Sequence, residues 1–185
     1  MGWIPMAIVF GALLILIVWC ISAYNKLVSF SVRVENGWAQ IDVQLKKRVD
    51  LIPNLVETVK GYAAHEKSTL SEVTKWRGAA MNSKTPEEAM ENNAQLSKAI
   101  FNLFATAERY PDLKANQNFL DLQAQLSEIE GKIAMSRQFY NDTAMKYNEY
   151  VMHFPSNIIA GMFHFERKKY FEVEEADRRV PQVKF

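Results

Sequence analysis

The sequence predicts an all-α protein: a single N-terminal transmembrane helix followed by an antiparallel bundle of long helices. Three observations carry that reading. The chain opens on an uncharged apolar run, WIPMAIVFGALLILIVWCISA from Trp3 to Ala23. Beyond it, apolar residues recur at steps of three, four and seven, the period of a helix with one buried face. No strand-type alternation lasts long enough to compete. The expected division is an anchor over residues 1–24, a helical bundle over 25–165 and a charged tail over 166–185. Without the anchor roughly 160 residues remain, enough to bury a core.

A helix crosses the bilayer core with about 20 apolar residues, and the first run has that length. Trp3 stands at one end, and Trp19 and Tyr24 near the other, where interfacial aromatic residues belong. Pro5 falls in the first turn, where its missing N–H costs least. A core helix this long would carry a polar face, which this one lacks. The run is expected to stay uncleaved, because no Lys or Arg precedes Trp3, although Ile21-Ser22-Ala23 would serve as a cleavage site. Cys20 follows Ile17-Val18-Trp19 and lacks the small neighbour that lipoprotein processing needs. Met6 stands where myristoylation wants Ser or Thr. Cys20 therefore reads as a small membrane-facing residue, with palmitoylation as the other reading. As the single cysteine it can form no internal disulfide. Lys26 and Arg33 follow the span, then Lys46, Lys47 and Arg48. By the positive-inside rule the C-terminal domain of this single-pass protein lies in the cytoplasm.

The next stretch, Tyr24 to Met81, contains no turn cluster. Val34, Trp38, Ile41, Leu45, Ile52, Leu55, Val56, Val59 and Ala63 mark one helix face. Pro53 predicts a kink rather than a stop, and Gly61 a second soft point. The break comes at Asn82-Ser83-Lys84-Thr85-Pro86. Thr85 is a good N-cap, Pro86 suits the first helical position and Glu88 completes a capping box. A second helix should run to about Arg109, with Met90, Ala94, Ser97, Phe101 and Phe104, and Leu96, Ile100 and Leu103 beside them, on a broad apolar face. Tyr110-Pro111 breaks the chain again, since the residue before proline disfavours α geometry. A third, long helix starts near Asn116 or Asn118. Its seam is Phe119, Leu122, Leu126, Ile129, Ile133, Ser136, Tyr140, Ala144, Tyr147, Val151 and Phe154. At about 1.5 Å per residue this helix exceeds roughly 50 Å. Pro155 ends or bends it, and a short helix over Asn157–Phe163 can follow. The tail from Glu166 mixes six basic and five acidic residues and is expected to be loose or partner-dependent. Asn54, Gln123 and Asn148 are expected to hydrogen-bond between helices. Trp38, Tyr62, Tyr110 and Tyr140 read as core aromatics before they read as a binding surface.

A search for chemistry finds little. The net charge of +1 gives no electrostatic footprint for nucleic acid. His65-Glu66 begins like a metalloprotease motif, but Thr69 stands where the second histidine must fall. His153 and His164 flank Pro155 without a carboxylate cluster. Glu108, Asp112, Glu128 and Glu130 read as solvated helix surface rather than an acid/base pair. Glu57, Glu66 and Glu72 do not form the repeated Glu-x-x-His set of a di-iron bundle. Phosphate-binding loop, dinucleotide fingerprint and nucleophile elbow are all missing. The sequence offers no catalytic, cofactor-binding or metal-binding residues, so the chain reads as a non-enzyme without a cofactor.

The run from Ile41 through Arg48, Pro53-Asn54 and Glu57 to Gly61-Tyr62 resembles the LemA family. Tyr24-Asn25 and Trp38 before it, and Ala63-Ala64-His65-Glu66 after it, extend the likeness. Tyr110-Pro111-Asp112-Leu113-Lys114-Ala115-Asn116 through Phe119 matches a second signature. Glu130, Lys132-Ile133-Ala134, Arg137, Tyr140-Asn141, Tyr147-Asn148, Phe154-Pro155 and the terminal Pro181-Gln182-Val183-Lys184-Phe185 complete it. The resemblance implies a bacterial membrane protein with one N-terminal anchor, a long-helix bundle and no assigned catalytic residues. Magnetosome membrane proteins are among the relatives it implies, and family genes often accompany membrane metallopeptidases. Two departures stand out. Some relatives carry a lipoprotein cysteine, against which Trp19 argues here, and Trp76 stands where a small residue is usual. The expected function is a non-enzymatic membrane-anchored scaffold that associates through helices with a second copy or with a membrane-protein partner. An adaptor or regulator of a membrane-associated protease is the alternative.

Overall fold

The structure, a computed structural model, describes residues 3–63 and 66–171. Six helices account for most of them: α1 (Trp3–Lys60), α2 (Lys67–Met81), α3 (Pro86–Ala107), α4 (Pro111–Lys114), α5 (Gln117–Met152) and α6 (Ser156–Met162). Among the described residues there is no strand. The chain divides into two compact units. Trp38–Arg137 forms a contiguous unit, and residues 1–37 with 138–185 form a split one.

In the contiguous unit the predicted face of α1 is the buried one. Ile41, Leu45, Ile52, Leu55, Val56 and Val59 are all buried, Val49 joins them, and Ala63 just beyond the helix is buried too. The helix passes through Pro53 and ends at Lys60. One helix reaching Met81, with a soft point at Gly61, was expected; instead α1 ends at Lys60 and a separate α2 starts at Lys67. The physical reason is burial: Leu70 and Val73 of α2 share one core with Val56 and Val59. Pro53 has no N–H, so the carbonyl of Val49 loses its helical partner. Arg77 of α2 supplies one instead, its Nε donating to Val49 O at 3.1 Å.

The start of α3 follows its sequence. Thr85 Oγ1 accepts from Glu88 N at 3.2 Å, and Pro86 takes the first helical position. The Glu88 carboxylate reaches back to Lys84 N at 2.9 Å, one residue earlier than a capping box predicts. Leu96, Ala99, Ile100 and Leu103 form the buried face of α3. Phe101 was expected on that face and is exposed instead. Its neighbour Ile100 is buried, and adjacent helical residues point about 100° apart. Asn116 caps α5, accepting from Phe119 N at 3.1 Å. Phe119, Leu122, Leu126, Ile129 and Ile133 are buried as the seam predicts.

In the split unit the seam continues through Tyr140, Ala144 and Tyr147, all buried. Phe154, its last predicted member, is exposed, because α5 ends at Met152 before the seam can reach it. Gly37 lies against this stretch: a Cβ there would stand 3.3 Å from Tyr140 Cα and 3.4 Å from Thr143 Oγ1. The short helix α6 buries Ile159 and Ala160 with Ala23 and Leu27 of α1. The apolar side chains from Ile4 to Val18 stay exposed, as suits a segment whose surroundings are lipid.

Candidate functional site

Three groups of polar side chains among the described residues join separate segments over long sequence distances, and two of them lie in the contiguous unit. The first is built on Arg48. This residue occupies a core position of α1, between Leu45 and Ile52, and its side chain is fully buried. A buried guanidinium demands partners, and its two terminal nitrogens find them while Nε has none. Nη1 donates to Ser97 Oγ at 2.7 Å and pairs with the Glu130 carboxylate. Nη2 donates to Asn93 O at 3.0 Å and to Asn93 Oδ1 at 2.6 Å. One residue of α1 thereby ties α3 to α5. Burial first, then the Arg48 charge, holds the Arg137 guanidinium below its ordinary pKa, while Glu130 acts the other way. The Ser97 hydroxyl lies 3.1 Å from Asn93 O and 3.5 Å from the Glu130 carboxylate. That carboxylate already carries the Arg48 ion pair, so the group is a lock between helices rather than an activated hydroxyl.

The second group joins the α1–α2 connection to the residues on either side of α4. Glu66 accepts from Arg109 Nη2 at 2.9 Å and from Tyr110 O–H at 3.0 Å. Asn116 Nδ2 donates to Tyr62 O–H oxygen at 2.9 Å. The hydrogen bond to Glu66, ahead of burial and that carboxylate's charge, raises the Tyr110 pKa above its ordinary value. Leu113 between them is fully buried. The two sequence signatures therefore meet here, and they do so to fix the loops.

The third group lies in the split unit and holds an extended segment on α5. Asn148 Nδ2 donates to Lys168 O, and Lys168 N donates to Asn148 Oδ1, both at 2.8 Å. Seven residues earlier, Asn141 does the same with Phe171: Nδ2 to O at 2.9 Å, N to Oδ1 at 2.8 Å. Two helical turns advance about 10.8 Å. Three extended residues span about 10 Å, so the spacings match. Tyr140 O–H adds a bond to Lys169 O at 3.1 Å. The expectation of a loose tail from Glu166 is corrected for this stretch, since side-chain amides hold its backbone. Residues 172–185 lie outside the described residues.

Of the remaining sequence candidates, Asn54 and Gln123 are exposed and bridge no helices, which corrects that expectation. Asn148 is buried, but its partner is the extended segment rather than a helix. Tyr140 is buried and Tyr62 exposed. Glu108 pairs with Lys114 and Glu128 with Lys132. That lysine, by hydrogen bond and then by charge, lowers the Glu128 pKa. His65 lies outside the described residues. Among the described residues no three His, Cys, Asp or Glu side chains gather as metal ligands. Trp76 packs at the edge of the core, with Lys75 Nζ 4.7 Å from its ring centroid.

Several concavities accompany these locks. A groove of about 730 Å³ between α1 and α2 is walled by Val56, Leu70 and Thr74 and bordered by Lys60, Lys67 and Lys75. Sequence reasoning missed both this groove and the Arg48 lock. The lock had a signal, a charged residue on the apolar face of a helix.

A family model described as the LemA family matches residues 37–185. The chain belongs to the LemA family. It is 25% identical over 155 residues to Protein LemA of Metamycoplasma hominis, covering 83% of this chain and 71% of the relative. It is 24% identical over 179 residues to magnetosome protein MamQ 2 of Paramagnetospirillum magneticum, and 22% identical over 179 residues to MamQ of Magnetospirillum gryphiswaldense. Each of these two alignments covers 83% of this chain and 66% of the relative, so the LemA-family chain spans about two thirds of the magnetosome proteins' length. None of these names is an enzyme's. With one helix among the described residues long and apolar enough to cross a membrane, at the N-terminal end, this LemA-family chain is a membrane-associated protein.

Proposed function

We propose that this protein is a non-enzymatic scaffold of the bacterial inner membrane, anchored by the start of α1, with its helical domain in the cytoplasm. It works by helix–helix association with partner proteins or a second copy. The groove between α1 and α2 carries this reading. Its floor is apolar, its border holds Lys60, Lys67 and Lys75, and its mouth is open to solvent. Such a surface complements an amphipathic helix with an acidic flank, which lays its apolar face into a groove. The seam of α5 is used inside the chain, so association falls to surfaces of this kind. Tethering to a membrane raises the local concentration of partners, and a modest contact then suffices. Lys26 and Arg33 after the span support the cytoplasmic orientation.

The test is a photo-cross-linker at the exposed groove residue Ser71, in the full chain in native membranes. The expected product joins Ser71 to an acidic helical peptide, and Lys67→Glu with Lys75→Glu lowers its yield at least tenfold. A yield no higher than from a cross-linker at exposed Asp112, or one indifferent to the charge reversals, would remove the groove from the function.

A further inference from the structure

The turn from α5 into α6 presents an apolar surface that the bundle does not use. Phe154 is 80% exposed, Ile158 52%, Met162 65% and Phe163 53%. Ile158 and Met162 lie one turn apart on α6, and the two phenylalanines stand at its ends. Exposed aliphatic and aromatic groups at this density mark a surface that meets something apolar.

The other side of α6 says what that is. Ile159 and Ala160 are buried against Ala23 and Leu27, and Trp19 and Cys20 pack at the edge of the same cluster. A bilayer core of about 30 Å takes roughly 20 helical residues. Counted from Trp3, the span therefore ends close to Ala23. The residues beneath α6 are those of the membrane boundary itself. Tyr24, an interfacial residue type, has its ring centroid 4.7 Å from that of Phe163 and 5.8 Å from that of Phe165. Charge at this level also suits a lipid surface. Lys26 lies one turn beyond the span, with Nζ 4.9 Å from the Tyr150 ring centroid, and Arg167 is exposed just after Phe165. Basic groups at that height meet lipid phosphates.

We infer that α6 is an interfacial element: Phe154, Ile158, Met162 and Phe163 insert into the lipid boundary beside the end of the transmembrane span. The protein then touches the membrane at two places, the span and this wedge. Apolar faces of interfacial helices sink about 5–10 Å below the headgroups. The wedge thereby fixes how the split unit stands against the bilayer, where a single span alone would leave it free to tilt and turn.

The test uses the full chain, with Cys20→Ala, in vesicles of phosphatidylethanolamine and phosphatidylglycerol. An environment-sensitive fluorophore is attached at Ile158→Cys, Met162→Cys or, as a reference on α5, Met145→Cys. The expected result is blue-shifted emission at positions 158 and 162 and at least threefold stronger quenching by lipids labelled high on the acyl chain than at 145. Emission at 158 and 162 as solvent-like as at 145 would overturn the inference. Blue-shifted emission without lipid quenching would overturn it as well, because the surface would then be covered by protein. Circular dichroism of each labelled chain checks that the helices persist, and Phe154→Cys gives an independent position outside α6.

Discussion

Arg77 donates from Nε to the Val49 carbonyl at 3.1 Å, the acceptor that Pro53 leaves empty one turn along α1. Two sequence features that look unrelated thus answer each other. Proline inside a helix costs about 3 kcal/mol relative to alanine. Part of that cost is the orphaned carbonyl, and an arginine from the next helix removes it. Arg77→Met is expected to destabilise the protein by about 1–3 kcal/mol, the cost of a buried acceptor without a donor. In a Pro53→Ala background residue 53 regains its N–H, and the loss should fall below about 1 kcal/mol. Chemical denaturation in detergent measures the cycle; equal losses in both backgrounds would separate Arg77 from Pro53.

Asn148 and Asn141 each exchange two hydrogen bonds with backbone groups of the extended segment. Asn148→Leu keeps the volume and removes both bonds to Lys168. It is expected to cost about 1–3 kcal/mol of local stability and to open the chain at Arg167, Lys168 and Lys169 to trypsin. Limited proteolysis followed by mass spectrometry reads this directly. Cleavage at wild-type rate would mean that the amide clamp does not hold the segment.

Arg48 and Glu130 differ in what each leaves behind. Arg48 is fully buried, whereas the Glu130 side chain is 43% exposed. Removing Glu130 strands a buried cation, while removing Arg48 frees a carboxylate that can turn to water and also relieves the repulsion on Arg137. Glu130→Gln is therefore expected to cost about 3 kcal/mol or more, and Arg48→Met less, about 1–3 kcal/mol. Denaturation of both variants and their double tests the order, and the reverse ranking would refute the account.

Tyr110 and Tyr147 should ionise later than a free tyrosine. At Tyr110 the main cause is the proton donated to Glu66. At Tyr147 it is burial, with the charges of Glu166 and Glu35 adding to it. A pKa raised in the fold favours the protonated phenol, so the stability it contributes is complete below the ordinary value of 10.0 and disappears as pH rises through the folded value. Absorbance titration near 295 nm should show Tyr110→Phe and Tyr147→Phe each deleting a late-titrating phenol. Loss of an early-titrating one instead would contradict the geometry.

The helical class, the apolar span, the Thr85 cap and most of the α5 seam were legible because each is a local pattern of period or capping. The break after Lys60 was legible only as a soft point at Gly61, since no turn cluster marks it; what turns the chain back there is the burial of Leu70 and Val73 with Val56 and Val59, a contact between helices that no local pattern shows. Arg48 could have been found as a charge on an apolar face. Its partners Asn93, Ser97 and Glu130 could not, because nothing local in a sequence pairs residues so far apart. The wedge of α6 went unread for a related reason. A short apolar helix looks like core until its packed face is known, and only then does its remaining face become conspicuous.

The division of the chain into a contiguous and a split unit bears on how it is made. Trp38–Arg137 is complete once its last residue leaves the ribosome, and all its core partners are then at hand. The split unit must wait for residue 138 onward, so the stretch just beyond the span is synthesised a hundred residues before its covering. Early in translation Leu27 and Val34 have no chain of their own to pack against. Insertion of the N-terminal run into a bilayer meanwhile gives the nascent helix a solvent suited to its first residues, and the unit that closes last is the one built around that membrane boundary.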